Sequence, residues 1–144
     1  MEPKFGLAHS VLGASIEAKG QHSDAAEEYL TALELEKRTR EECNETRRGY
    51  RTRGMAGLHE ADLKQMLRRW DGWHASMVDI AALHAGLGHI TESLDWLEKA
   101  CDARSGCLTW IRAGTPFARI GQYFDNLCDE PRFLRILERL QLPL

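Results

Sequence analysis

The sequence predicts an all-α fold, on three observations. Long stretches are dominated by Ala, Leu, Glu, Lys and Arg, which favour helix, and the 144 residues hold only four prolines. Apolar residues recur at steps of three and four, the spacing that lines one face of a helix. Gly20, Gly54 and Gly88 stand 34 residues apart, and each ends one such segment and precedes another. A fixed period of this length marks supersecondary units that stack because none can bury its apolar face alone.

That period sets the predicted elements: repeats over 6–39, 40–73 and 74–107, and a capping region over 108–144, all within one domain. In the first repeat, Leu12, Gly13 and Ile16 precede Gly20, and Ala25, Tyr29, Ala32 and Leu33 follow it. Ser23, followed by Asp24 and Glu27, reads as the cap of the second helix. The middle repeat keeps Tyr50, Leu63 and Met66 in frame, but carries Thr46, Arg47 and His59 where small or apolar residues are expected. Its first helix is therefore expected to be short, frayed or displaced. In the third, Met77, Ile80, Ala81, His84 and Leu87 line one helix, and Leu94, Leu97, Ala100 and Cys101 the next, with Thr91 as its cap. Near the carboxyl end Asp129 reads as a cap and Pro131 as a helix start. Phe133, Ile136, Leu137 and Leu140 then form an apolar stripe, as a terminal capping helix requires.

A Leu-Gly pair followed by an apolar residue on a first helix, then small-aromatic-small on a second, resembles the tetratricopeptide repeat. The resemblance implies helix hairpins stacked as a short right-handed solenoid, closed by a capping helix, that binds proteins along its inner face. From His74 to Leu144 the chain is similar to the repeat tail behind TolB-like, winged-helix, cyclase or protein-kinase domains in bacteria. The shared features are Ala85 to Gly88, Trp96 to Ala100, a Phe-Asp-x-Leu turn at Phe124 and a helix begun by Pro131-Arg132-Phe133; residues 114–122 are extra. Pro3 falls where the family has its inter-repeat proline, so residues 1–5 read as the end of a preceding repeat, whether of a longer array or of a stand-alone gene.

Composition excludes some functions. With 43% hydrophobic and 28% charged residues the chain has a core to bury and lacks the signature of disorder. A net charge of −3 gives no general attraction to nucleic acid or acidic membranes, and no apolar run is long enough to cross a membrane, so the expectation is a soluble, cytoplasmic protein. Cys43, Cys101, Cys107 and Cys128 lack zinc-site spacing and read as reduced thiols, with Cys101 and Cys107 close in sequence. The six histidines show no helical pair with a carboxylate of the kind zinc peptidases use, and Gly86 and Gly88 lack the remainder of a phosphate loop. No catalytic group, metal or cofactor is assigned, and no enzyme is expected.

The residues that point to binding lie in the basic run 37–53, where seven cations meet three carboxylates around Tyr50. Under the family frame Asn44, Arg48 and Arg51 fall on the first helix of the middle repeat, facing the inner surface. Arginine forks there suit carboxylates or phosphates, and a merely solvated charged helix is the competing reading. Ser10, Ala14, Glu17, Ala82 and Ala85 occupy further inner positions and are mostly small, which implies an open groove; the family's carboxylate clamp is disfavoured, because Ser10, Ala14, Glu45, Ala75 and Asp79 stand where it needs Lys, Asn or Arg. Trp70 and Trp73 serve either as binding anchors or as inter-repeat core. The expected partner is a protein or peptide of acidic character. Self-association into a homodimer through the open amino-terminal end, beside Leu7, Val11 and Leu12, is the alternative.

Overall fold

The computed structural model of the chain describes residues 5–71, 74–106, 108, 111 and 123–141, and only the backbone of 74–76. Trp73, Cys107, Trp110 and the segment 112–122 lie outside the described residues. All regular structure among the described residues is helical: α1 (Gly6–Glu17), α2 (His22–Leu35), α3 (Arg40–Arg68), α4 (His74–Gly86), α5 (Ile90–Asp102), a 3₁₀ turn (Phe124–Leu127) and α6 (Pro131–Arg139). The contacts divide into two compact units, Met1–Gln65 and Met66–Leu144.

In the first unit α1 and α2 form an antiparallel pair. The glycine of their turn, Gly20, has φ of 76°. Gly13 lets the two helices close, since a Cβ there would stand 3.1 Å from the Tyr29 ring and 3.3 Å from the Ala25 carbonyl. Ala14, Ala25, Ala26 and Tyr29 form the buried core with Leu58 of α3, and Ile16, Tyr50 and Met55 pack at its edge.

α3 is itself a helix pair. Gly54, with φ of 62° and ψ of −146°, interrupts it and reverses the chain with no loop, leaving arms over 40–53 and 55–68. Gly49 and Gly57 touch backbone to backbone: a Cβ on Gly49 would collide with the Gly57 carbonyl, and one on Gly57 with the Gly49 carbonyl. The expectation of a short, frayed or displaced first helix is corrected: 40–53 is helical throughout, and what moves is the crossing point. The first pair meets at Gly13 and Ala25, the third at Ala81 and Ser93, whose hydroxyl donates to the Ala81 carbonyl at 2.8 Å. Two periods separate these meetings. The middle pair keeps the same antiparallel register but closes two residues nearer its turn on each arm, because a loopless reversal holds the arms closest there.

That shift explains the misfit residues. Arg47 and His59 hold the crossing positions of the other pairs, where only small side chains fit, and the displaced contact frees them for large ones. His59 is buried, with Nε2 donating to Glu17 Oε1 at 2.8 Å and its ring set edge-on to Tyr29. The Tyr29 hydroxyl donates to the other oxygen of Glu17 at 2.8 Å. Thr46 and Gln65 are fully buried and satisfy each other: Gln65 Nε2 donates to the Thr46 hydroxyl and to the Glu42 carbonyl, both at 3.0 Å. Buried polar groups without such partners would be costly.

In the second unit, α4 and α5 pair around Gly88, whose φ is 78°. Val78, Ala81, Ala82 and Ala85 of α4 bury with Leu94, Leu97, Ala100 and Cys101 of α5, together with Phe124, Leu127, Phe133, Ile136 and Leu137. α6 follows the predicted stripe, with Pro131 in its first turn and Phe133, Ile136 and Leu137 buried. Arg132 holds α6 on α5 by a fork on Glu98 at 3.0 and 2.8 Å, and reaches Asp95 at 2.7 Å. This fork holds the Glu98 carboxyl below its ordinary pKa. Glu98 and Asp95 are well exposed, so the cluster orients the helix more than it stabilises it.

Three predicted caps are corrected. α2 begins at His22 after Gln21, α5 at Ile90 after His89, and α6 after Glu130, so Ser23, Thr91 and Asp129 are not the capping residues. A capping box does exist, at the start of α3. The Thr39 hydroxyl accepts from the Glu42 amide at 3.2 Å, and Glu42 Oε2 accepts from the Thr39 amide at 2.8 Å. Its Thr-x-x-Glu signature stands in the sequence.

Candidate partner-binding surface

The first arm of α3 forms because a capping box starts it, Glu41 and Glu42 suit its amino-terminal dipole, and Cys43 and Thr46 give it a buried edge. Its opposite face is basic. Arg40, Asn44, Arg48 and Arg51 follow one another at steps of four, four and three, which places them on one side of the helix, and all four are exposed. The stripe spans about 16 Å at the helical rise per residue.

The seven cations of the basic run divide by what they meet. Arg38 reaches Asp62 at 3.8 Å and Glu36 at 4.0 Å, Arg47 reaches Glu34 at 3.7 Å, and Arg53 pairs with Glu60. Among the described residues no ion pair forms at Arg40, Arg48 or Arg51. Asn44, itself exposed, accepts a hydrogen bond from Arg47 at 3.0 Å through its side-chain oxygen. Three guanidinium forks along one exposed face can hold an extended or helical chain of carboxylates, or phosphates, in two-point contacts.

The remaining predicted site residues divide between surface and core. Tyr50 is half-buried against the core of the first unit and borders the stripe. Trp70 is half-buried, set edge-on to Trp96 with ring centroids 5.1 Å apart, and packs on the core of the second unit. The inner positions Ala14, Ala82 and Ala85 are buried, at 5%, 0% and 0% exposure, so the open groove expected over them is corrected: they are core. Ser10 and Glu17 are partly covered, and Glu17 is taken up by Tyr29 and His59.

Burial, with neighbouring carboxylates, pushes the Cys43 and Cys101 thiols above their ordinary pKa, which keeps them protonated and unreactive; Cys128 is exposed. Among the described residues no three His, Cys, Asp or Glu side chains converge as metal ligands, and no helix is long and apolar enough to cross a membrane. One contact that sequence reasoning missed lies at the turn of the α4–α5 pair, where His84 and His89 meet with their Nδ1 atoms 3.3 Å apart. Their spacing of five residues carries no familiar motif; the glycine two positions before a helix was the available signal. Compared with family profiles, with curated proteins and with solved structures, the chain matches none.

Proposed function

We propose that the chain is a non-catalytic binding module of tetratricopeptide type, and that an acidic segment of a partner protein docks on the basic face of the first arm of α3. The observation that carries this reading is the row of Arg40, Arg48 and Arg51, exposed on one face beside Asn44 and without ion pairs among the described residues, while Arg38, Arg47 and Arg53 are neutralised by neighbours. Helix pairs recurring every 34 residues, with a common register, support the repeat type. A surface module of this kind gains affinity from a few arginines that desolvate against carboxylates, and its association weakens with salt.

The test is fluorescence anisotropy of a labelled Glu-rich helical peptide titrated with the full chain at low and physiological salt. The double substitution Arg48→Glu and Arg51→Glu is expected to weaken binding by tenfold or more, about 1.4 kcal/mol. Reversal of two exposed lysines off the stripe, Lys19→Glu and Lys64→Glu, changes net charge equally and serves as the control. Equal losses in both variants would reduce the effect to net charge and contradict a defined surface.

Self-association is the second reading, favoured by Phe5 and Leu7, which are 54% and 41% exposed at the start of α1. It predicts a concentration-dependent mass in sedimentation that Leu7→Glu abolishes.

A further inference from the structure

The turn between α4 and α5 places two imidazoles together by construction. Gly88, in the left-handed region, closes a Schellman motif: the His89 amide donates to the His84 carbonyl at 2.8 Å and the Gly88 amide to the Ala85 carbonyl at 3.0 Å. In this motif the side chains three residues inside the helix end and two beyond it come into contact, ordinarily as an apolar pair. The α1–α2 turn has the same hydrogen bonds, from Gln21 to Ile16 and from Gly20 to Glu17, and puts Ile16 and Gln21 at those two positions. In the α4–α5 turn they are His84 and His89. The rings lie 5.5 Å apart between centroids, with the Nδ1 atoms 3.3 Å apart.

We propose that His84 and His89 chelate a borderline divalent transition-metal ion, of the Zn²⁺ or Ni²⁺ class, through their Nδ1 atoms, with water completing the coordination shell. Two nitrogens bound at about 2.0–2.1 Å with a tetrahedral angle stand about 3.3 Å from each other, so the pair already has the separation that chelation requires. Chelation replaces the hydrogen bond between the two Nδ1 atoms, and the proton on one of them moves to solvent or to Nε2 of the same ring. His89 is exposed and gives the ion a path in from solvent. Glu92 lies in the first turn of α5, three residues after His89. The turn, rather than a sequence motif, preorganises the ligands.

The experiment is titration of the metal-free full chain with Zn²⁺ and, separately, Ni²⁺ at pH 7.5, read by calorimetry and by the imidazole nitrogen resonances. One equivalent is expected to bind, shifting the Nδ1 signals of His84 and His89 and leaving those of His22 in place. His89→Ala, at an exposed helix cap, should keep the helical circular dichroism and weaken binding at least tenfold; His22→Ala should leave it unchanged. A chain that binds no ion one-to-one makes the contact a plain hydrogen bond and overturns the proposal. Binding that survives His89→Ala, at thiols or other histidines, overturns it equally.

Discussion

At the scale of single residues, two features of the helix ends have measurable consequences. His84 is buried, and its pKa is lowered first by desolvation and then by His89, with Glu92 opposing. The unfolded chain, with an ordinary histidine near pH 6.5, therefore takes up this proton before the folded one does. The stability this difference supplies is present above about pH 6.5 and is lost as the pH falls toward the depressed folded value. Urea denaturation in metal-free buffer should show a lower midpoint at pH 5.5 than at 7.5, and His84→Leu should narrow that difference. The second feature is Lys37, which ends α2 with φ of 58°, and Arg104, which ends α5 with φ of 52°. Side chains in the left-handed region cost about 1 kcal/mol, which glycine does not. Lys37→Gly should therefore raise stability by roughly 0.5–1 kcal/mol, seen as a higher urea midpoint at unchanged slope. A fall in midpoint would mean that the lysine stem contributes packing that outweighs the strain.

At the scale of elements, the middle helix pair carries the proposed binding face, and glycine controls its geometry. Gly54 takes a backbone conformation, with ψ of −146°, that lies outside the left-handed helical region as well as outside the ordinary ones. Gly49 and Gly57 then allow the arms to touch where any Cβ would collide with backbone. Gly49→Ala sets a propensity gain of about 1 kcal/mol against that collision. Overpacking against main chain has no flexible side chain to absorb it, so the substitution should destabilise by about 2 kcal/mol or more in thermal unfolding. An Ala at 49 that leaves the melting temperature unchanged would mean that the arms do not meet at Gly49 and Gly57. The basic face then depends on the arm staying helical, which Thr39 and Glu42 secure at its start.

At the scale of the molecule, the period of 34 made the order of helices legible: Gly20, Gly54 and Gly88 are the described glycines with positive φ, and each reverses a helix pair. The core of the third pair was legible because Leu94, Leu97, Ala100 and Cys101 keep strict helical spacing. Caps were not, because Ser23 and Thr91 look like capping residues while the glycine turns start each helix two residues earlier than the capping pattern requires. The middle crossing was hidden because its contact is made by Gly49 and Gly57, which no repeat pattern marks. Ala14, Ala82 and Ala85 were misread as groove for a related reason: small residues serve an open surface and a close helix contact equally well, and sequence does not say which. The basic run was legible as a cluster, but which of its members are neutralised depended on Glu34, Glu60 and Asp62 arriving from other segments.

The chain carries a net charge of −3 while this helical face is basic, so the proposed acidic partner would meet a local rather than a general attraction. The most direct test is a two-dimensional amide NMR titration of the full chain with the Glu-rich peptide. The largest shift changes should fall on residues 40–53, centred on Arg48 and Arg51, and fade as salt rises. Perturbations centred elsewhere, or none at saturating peptide, would contradict the basic face of α3 as the binding surface.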